Sequence, residues 1–240
     1  MSVDVDVPNA TRLWEAAYSR FVTPADEINK FVRRLRRLGV ADLPRDVRIV
    51  ELFCGRGNGL EALARLGFRN LEGVDLSPRL IVQYKGSARC YVADCRHLPF
   101  ADGSRDVVIV QGGLHHLMSL PDDLAQVLAE VRRVLRDEGR LVVVEPWLTP
   151  FLRLVHLLCG FGIVRKFSGR LDALATMIQY ERETYEQWLG QPGLVRSTFE
   201  QYFEPTYLST RWGKYSFVGA PRRSRCASPP MATEEQLRAN

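Results

Sequence analysis

A glycine-spaced loop, which lies between a short apolar run and an amphipathic segment, constrains this chain more than any other feature. Residues 49–59 read Ile-Val-Glu-Leu-Phe-Cys-Gly-Arg-Gly-Asn-Gly, and leucine and alanine then recur at helical spacing. A strand, a tight loop and a helix start in this order form the nucleotide-binding edge of open α/β sheets. A dinucleotide fingerprint would need a small residue three positions after its second glycine, where this chain has Leu60. The loop therefore indicates a nucleotide-like ligand other than a dinucleotide.

Apolar runs and amphipathic segments alternate along the chain from residue 46 onward. The pattern predicts strands at 47–52, 70–75, 89–93, 106–110 and 140–145, followed by β-prone runs at 203–211 and 214–219. Helices are expected between the first five strands, and Gly139 is expected to end the helix that begins at Pro121. Alternation of this length predicts an α/β fold with a parallel sheet covered by helices on both faces.

Three motifs resemble those of the class I S-adenosylmethionine-dependent methyltransferases, in particular the group called methyltransferase type 11. They are the acidic glycine loop that begins at Glu51, the run Asp-Cys-Arg-His-Leu-Pro-Phe at 94–100, and the histidine pair that follows the strand at 106–110. The resemblance covers residues 47–146 well and the final hairpin loosely. It implies a Rossmann-like class I methyltransferase fold, with a mostly parallel seven-stranded sheet and an antiparallel C-terminal strand.

The resemblance implies S-adenosyl-L-methionine as the cofactor. Asp75 closes a strand about twenty residues after the glycine loop, where a carboxylate accepts hydrogen bonds from ribose hydroxyls, although an acid at a helix N-terminus is an alternative. Leu76 is expected to pack on the adenine, Asp94 and Cys95 to bind its edge unless they form a plain surface turn, and Gln111 to contact the methionine part through its backbone. The remaining cofactor contacts are expected from the loop itself, at Glu51, Phe53, Gly55, Gly57 and Gly59.

His115 and His116 are the candidate catalytic residues, since they form a titratable pair beside the expected reaction centre. A histidine with a pKa near neutrality can take a proton from a substrate hydroxyl. The alternative is a structural hydrogen bond, and methyl transfer needs no base when the acceptor is already nucleophilic. The five cysteines and four histidines show no zinc-binding spacing, so no metal site is predicted.

The flanking segments are predicted from composition and helical periodicity. Residues 1–45 are expected to form an N-terminal helical cap, in which Trp14, Tyr18 and Phe21 line the site or pack on the core. A cluster of arginines on its second helix is interpreted as a solvated face, at Arg33, Arg34, Arg36 and Arg37. Within a methyltransferase domain at 46–220, residues 147–200 are expected to form a helical lid over the substrate, although the apolar run at 147–162 is equally consistent with a buried packing helix. The polar and aromatic residues at 180–185 are interpreted as a solvated helix face rather than as substrate contacts, and a disordered tail is expected at 221–240.

The sequence predicts an enzyme that transfers a methyl group from S-adenosylmethionine to a small molecule, at a hydroxyl oxygen of an apolar or lipid-like acceptor. An RNA or protein methyltransferase is kept as an alternative because the net charge is +5, and a non-catalytic binding module is the other alternative. DNA is not expected as a partner, and RNA is not favoured, because the chain lacks an Asn/Asp-Pro-Pro-Tyr motif after the strand at 106–110. No signal pattern or membrane-spanning run is found, so we expect a cytoplasmic monomer or homodimer that can contact a membrane surface.

Overall fold

The computed structural model describes residues 17, 18, 20–161, 166 and 168–222. The predicted roles of Trp14 and of the tail beyond residue 222 lie outside these residues. The strands are β1 (Arg48–Leu52), β2 (Asn70–Asp75), β3 (Arg89–Val92), β4 (Arg105–Gln111), β5 (Leu135–Pro146), β6 (Phe203–Arg211) and β7 (Lys214–Pro221). The helices are α1 (Pro24–Arg37), α2 (Asn58–Arg65), α3 (Pro78–Ile81), α4 (Asp122–Val134), α5 (Pro150–Gly160), α6 (Gly169–Tyr180), α7 (Arg182–Gly190) and α8 (Pro192–Tyr202). Short 3₁₀ turns occupy Val40–Asp42 and Leu114–His116.

The seven strands form one sheet in the order β3-β2-β1-β4-β5-β7-β6. The first five strands pair in parallel, whereas β7 pairs antiparallel with both β5 and β6. The strand order reverses beside β1, which is the position where open α/β sheets bind ligands at the carboxyl ends of their strands. The predicted class I methyltransferase fold is therefore confirmed.

Local sequence signals explain where several elements begin. The Thr23 side chain accepts a hydrogen bond from the Asp26 backbone N–H and caps α1, and the Ser77 side chain caps α3 in the same way through the Leu80 N–H. A proline at the first helical position follows each cap. Strand β4 is buried along its length except at its ends, as its apolar run predicts for a strand covered on both faces.

The sequence predicts that α4 runs from Pro121 to Arg136, and the helix ends two residues earlier than that. The helix ends at Val134, and Leu135 takes an extended conformation that already pairs with Arg105 of β4. Gly139 instead lies within β5, where an added Cβ would be 2.9 Å from the Arg136 carbonyl oxygen. Pairing with the sheet thus ends the helix before the glycine does.

Two apolar layers cover the sheet. On one face α1 and α2 pack with residues such as Phe31, Leu35 and Leu63 against β1, β4 and β5. On the other face α4, α7 and α8 enclose a cluster that includes Trp188, Phe199 and Tyr215. None of the helices among the described residues is both long and apolar enough to cross a membrane.

Candidate active site

The glycine loop turns the chain sharply between β1 and α2. Phe53, Gly55 and Gly57 all have positive φ angles, of 55°, 52° and 80°. Glycine adopts this conformation without steric cost, whereas a phenylalanine is strained there. An added Cβ on Gly57 would lie 2.1 Å from the Tyr84 ring, so the residue is required for close packing as well as for the turn.

Glu51 is the buried acid at the end of β1, and it is 3% exposed. Its Oε1 accepts a hydrogen bond of 3.2 Å from the Gln111 side chain, but its Oε2 is buried without a hydrogen-bond partner among the described residues. Burial raises the pKa of Glu51 to about 8. An added Cβ on Gly59 would lie 1.8 Å from Glu51 Oε1, so the carboxyl group occupies the space that this glycine leaves.

Asp75 ends β2 beside the loop, as predicted. Its Oδ2 accepts a 2.8 Å hydrogen bond from the Gly55 N–H, and its Oδ1 accepts one of the same length from the Ser77 N–H. The carboxylate therefore holds the loop in place, and each oxygen keeps capacity for a further donor such as a ribose hydroxyl.

The predicted adenine contacts lie apart from the enclosed part of the site. Leu76 is 71% exposed, and neither it nor Asp94 or Cys95 lines the cavity described below. Asp94 accepts from the backbone N–H of Arg96 at 2.9 Å and pairs with its guanidinium at 2.6 Å, which lowers the pKa of Asp94. Gly57 is also absent from the cavity lining. The adenine-binding role of these residues stays a prediction.

The ring of His115 is held by a buried carboxylate, that of Glu145 near the end of β5. Its Nδ1 lies 2.7 Å from Glu145 Oε2, and Glu145 is fully buried. The other oxygen of Glu145 accepts from the backbone N–H groups of Gly113 at 2.7 Å and Leu114 at 2.9 Å. Burial alone would raise the pKa of Glu145, but these bonds and His115 bring it below its ordinary value. Glu145 is therefore ionised and orients the His115 ring.

His116 and Glu181 complete the polar end of the site. His116 Nδ1 lies 3.6 Å from Glu181 Oε1, and His115 Nε2 lies 3.9 Å from Glu181 Oε2. The sequence favoured a solvated helix face for residues 180–185, but Glu181 and Tyr185 both line the cavity. In the sequence, Glu145 follows the apolar run at 141–144, but nothing there identifies it as the partner of His115.

Helix α1 packs against α2 and lines the cavity together with the loop. Its Glu27 accepts hydrogen bonds from the Tyr18 hydroxyl and, at 2.7 Å, from the Asn58 side chain. Arg34 donates a 3.1 Å hydrogen bond to Gln111 Oε1, so the expectation of a solvated face is wrong for this arginine, although its three arginine neighbours are exposed. The reason is helical geometry, which places Arg34 on the same side as Phe31. Tyr18 and Phe21 line the cavity, which is one of the two placements that the sequence left open.

One cavity of about 770 Å³ joins the loop to an apolar wall. The loop side is lined by Glu51, Phe53, Gly55, Gly59, Asp75 and Gln111. The opposite wall comes from α5, α6 and the β6–β7 turn, through Phe151, Leu152, Val155, Leu171, Leu174, Met177, Ile178 and Trp212. His115, His116 and Glu181 also line the cavity. Lys214 also lines the cavity, and burial together with Arg34 and Lys30 lowers its pKa to about 7.

The loop side fits S-adenosylmethionine, the cofactor that the motifs imply. The buried Glu51 oxygen that lacks a partner suits the cationic amino group of a methionine moiety, because a buried carboxylate needs a counter-charge. The space left at Gly59 and the open oxygens of Asp75 suit a ligand that lies against the loop. The cavity is acidic at the loop and apolar on the far wall, so its two parts suit two different ligands.

Known proteins resemble this chain both in sequence and in fold. Residues 50–143 match the family model described as a methyltransferase domain. A demethylmenaquinone methyltransferase from Thermobifida fusca is 32% identical over 163 residues, which are 62% of this chain and 65% of the relative. A ubiquinone/menaquinone biosynthesis C-methyltransferase UbiE from Geotalea uraniireducens is 33% identical over 140 residues, which are 52% of this chain and 58% of the relative. The chain thus spans less than two thirds of the length of these curated relatives.

Solved structures agree on the fold. The PH0226 protein from Pyrococcus horikoshii superposes with a TM-score of 0.65 at 21% identity, over 87% of this chain and 98% of that one. An S-adenosylmethionine-dependent methyltransferase from Mesorhizobium loti gives a TM-score of 0.52 at 16% identity, over 78% and 97% of the two chains. Residues 50–143 are thus similar to a methyltransferase domain, and the chain has the fold of the class I S-adenosylmethionine-dependent methyltransferases.

Proposed function

We propose that the chain transfers a methyl group from S-adenosylmethionine to a ring carbon of an apolar, quinol-type small molecule. The observation that carries the proposal is the cavity that joins the acidic glycine loop to apolar side chains of α5 and α6 and is also lined by His115. The printed names of both sequence relatives support a quinone-related acceptor, and one of them names a C-methyltransferase. The sequence alone predicts methylation at a hydroxyl oxygen. We propose instead that the methylated atom is the ring carbon next to such a hydroxyl.

The apolar wall suits an acceptor with a hydrocarbon body. Its aliphatic and aromatic side chains lie on α5 and α6, and most of the acceptor's contact area would be with them. Lys214 lies in the same cavity, and because its pKa is lowered to about 7, its amine is a cation mainly below that pH. A quinol places hydroxyl oxygens at the ends of an apolar ring system, so Lys214 can stabilise an ionised oxygen while the wall holds the ring.

His115 supplies a proton acceptor at the boundary between the two ligands. The ionised Glu145 carboxylate accepts a hydrogen bond from the Nδ1–H group of His115, so the lone pair of the ring lies on Nε2. His115 lines the cavity. Nε2 takes the proton of the acceptor hydroxyl, and the negative charge on the oxygen enriches the adjacent ring carbon. S-adenosylmethionine supplies an electrophilic methyl group on a sulfonium. The electron-rich ring carbon would take this methyl group as the methyl–sulfur bond breaks, and the sulfur would leave as the thioether S-adenosylhomocysteine. The proton displaced from the ring carbon would pass to solvent.

The experiment is a transfer assay with methyl-¹³C-labelled S-adenosylmethionine. The purified chain is incubated under reducing conditions with a naphthoquinol that carries an apolar side chain, and the product is analysed by ¹³C nuclear magnetic resonance. A label at the chemical shift of a ring-bound methyl group supports the proposal, and a label at that of a methoxy group contradicts carbon methylation. His115→Gln is compared with His97→Gln, which changes an exposed histidine outside the cavity.

The remaining expectations stay predictions. They are the cytoplasmic location, contact with a membrane surface, and a monomeric or homodimeric state. An RNA methyltransferase has the support only of basic charge, such as the exposed arginines of α1. If the labelled methyl group is transferred to RNA at low salt and not to a quinol, that alternative replaces the proposal.

A further inference from the structure

Three side chains of the types that bind transition metals meet at the polar end of the cavity. The ligand atoms of His115, His116 and Glu181 all lie within 4.8 Å of one another. The two closest approaches are 3.6 Å, from His116 Nδ1 to Glu181 Oε1, and 3.9 Å, from His115 Nε2 to Glu181 Oε2. Ligands about 2.0–2.2 Å from one tetrahedral metal ion lie only slightly closer together than this.

Nε2, the nitrogen of His115 that faces Glu181, is oriented to bind a metal ion. Its other nitrogen, Nδ1, is 2.7 Å from the buried Glu145 carboxylate, which fixes the tautomer with a lone pair on Nε2. Histidine ligands of metals characteristically donate their second ring N–H to such a carboxylate. Glu145 is itself held by two backbone N–H groups, so the ring orientation is rigid before any ion arrives.

Charge and composition also favour a cation. Two carboxylates, Glu181 among the ligands and Glu145 behind His115, lie at the site and would offset the charge of one divalent ion. A set of two imidazole nitrogens and one carboxylate suits zinc, cobalt or iron rather than magnesium or calcium, which prefer oxygen ligands. The 3₁₀ turn at Leu114–His116 presents the two rings side by side, with their centroids 4.1 Å apart.

We propose that His115, His116 and Glu181 bind one divalent transition-metal ion in the cavity, with open positions that take a hydroxyl oxygen of the acceptor. Three protein ligands leave such positions, as in catalytic metal sites. The role of the ion rests on the proposed function, whereas its binding does not. A bound ion lowers the pKa of the oxygen that it contacts, so in the loaded state the hydroxyl loses its proton at the metal and His115 serves as a ligand instead of a base.

The test is a titration of Co²⁺ into the full chain after chelator treatment and removal of any affinity tag, with neither cofactor nor acceptor present. We expect one Co²⁺ per chain, micromolar affinity and visible d–d absorption of a four- or five-coordinate ion. Glu181→Gln and His116→Gln should each weaken binding at least tenfold, and Glu145→Gln about 10- to 100-fold through loss of the ring orientation. His97→Gln should bind as the wild type does.

Three outcomes overturn the proposal. They are no binding by folded protein, affinity unchanged in Glu181→Gln, and a sulfur-to-cobalt charge-transfer band, which would assign the ion to cysteines. Circular dichroism of each variant separates loss of the site from loss of the fold. The titration uses no cofactor and no acceptor, so a failure to bind Co²⁺ would contradict the metal site and leave the proposed methyl transfer untouched. A failure of methyl transfer would likewise leave the metal-binding result untouched.

Discussion

At the scale of single residues, the protonation of Glu51 couples cofactor binding to pH. The pKa of Glu51 is raised to about 8 by burial, so below pH 8 the free protein holds this group mostly as a neutral acid. The cationic amino group of the cofactor needs the ionised form. Since only the ionised fraction of Glu51 is competent, the affinity for S-adenosylmethionine should increase by up to about tenfold per pH unit below pH 8, and it should fall at higher pH as the amino group of the ligand loses its charge.

Calorimetric titration of S-adenosylmethionine between pH 6 and 9 measures this dependence, with Glu51→Gln as the reference. The amino group of the ligand titrates in the same range, and that contribution remains in the variant. We expect the variant to bind at least tenfold more weakly and to lose the steep part of the pH profile. Parallel profiles for the two proteins would rule out Glu51 as the titrating partner.

A second residue-scale prediction concerns Glu145 behind His115. In Glu145→Gln the amide oxygen can keep the hydrogen bonds from Gly113 and Leu114, whereas the amide nitrogen faces His115 Nδ1 and disfavours its protonated form. We expect kcat for methyl transfer to fall about 10²-fold, in the range for loss of a general base, with the cofactor dissociation constant unchanged.

Single-turnover kinetics and calorimetry separate these two quantities. Glu72→Gln is the matched control, since Glu72 pairs with Arg105 and does not line the cavity. Equal kcat values for wild type and Glu145→Gln would remove the His115–Glu145 pair from the proposed mechanism.

At the scale of elements, helix α1 contributes the positive charge of Arg34 to the site, whereas the other arginines of the helix are exposed. Arg34 hydrogen-bonds Gln111, which in turn hydrogen-bonds Glu51, whereas Arg33 is exposed. Arg34→Gln removes a positive charge near the Glu51 carboxyl and makes its ionisation less favourable. We expect several-fold weaker binding of S-adenosylmethionine at pH 7, and a shift of the pH profile to higher pH.

Arg33→Gln removes the same charge from the same helix and should leave cofactor binding within a factor of two of the wild type. The comparison therefore distinguishes a specific contact from a general loss of positive charge. Equal weakening in both variants would show that α1 acts only through its net charge.

At the scale of the whole molecule, cofactor binding should stabilise the fold through mass action. At a concentration 100 times its dissociation constant, S-adenosylmethionine should add about 2.7 kcal/mol to the free energy of unfolding. For a chain of this size that corresponds to roughly 5–11 °C in the melting temperature. Differential scanning fluorimetry should show this increase for the wild type and for Asp102→Ala, a change at an exposed ion pair.

Asp75→Ala should lose most of the increase, because the variant lacks both the candidate ribose contact and the hydrogen bond that holds Gly55. Its melting temperature without ligand reports the structural part of that change. A ligand-induced increase equal to that of the wild type would contradict a ribose-binding role for Asp75.

The sheet and the loop were predictable because their signals are local. The apolar run of β4, the proline and serine before α3, and the glycines after Glu51 each specify a conformation within a few residues. The partners of His115 were not predictable, since Glu145 and Glu181 are distant in sequence and only the paired strands and packed helices bring them near. The same holds for Arg34, whose contact with Gln111 depends on how α1 packs on the sheet.

The contact between Glu51 and Gly59 limits which substitutions this loop can accept during evolution. The carboxyl group fills the volume where a side chain at position 59 would begin, so the two positions share one space. A larger residue at 59 is compatible with the loop only when position 51 shortens, and a shorter acid at 51 withdraws the charge from the cavity. Among descendants of this chain, the two positions should therefore change together or stay fixed together, and a lone exchange at either one marks a domain that no longer retains its cofactor.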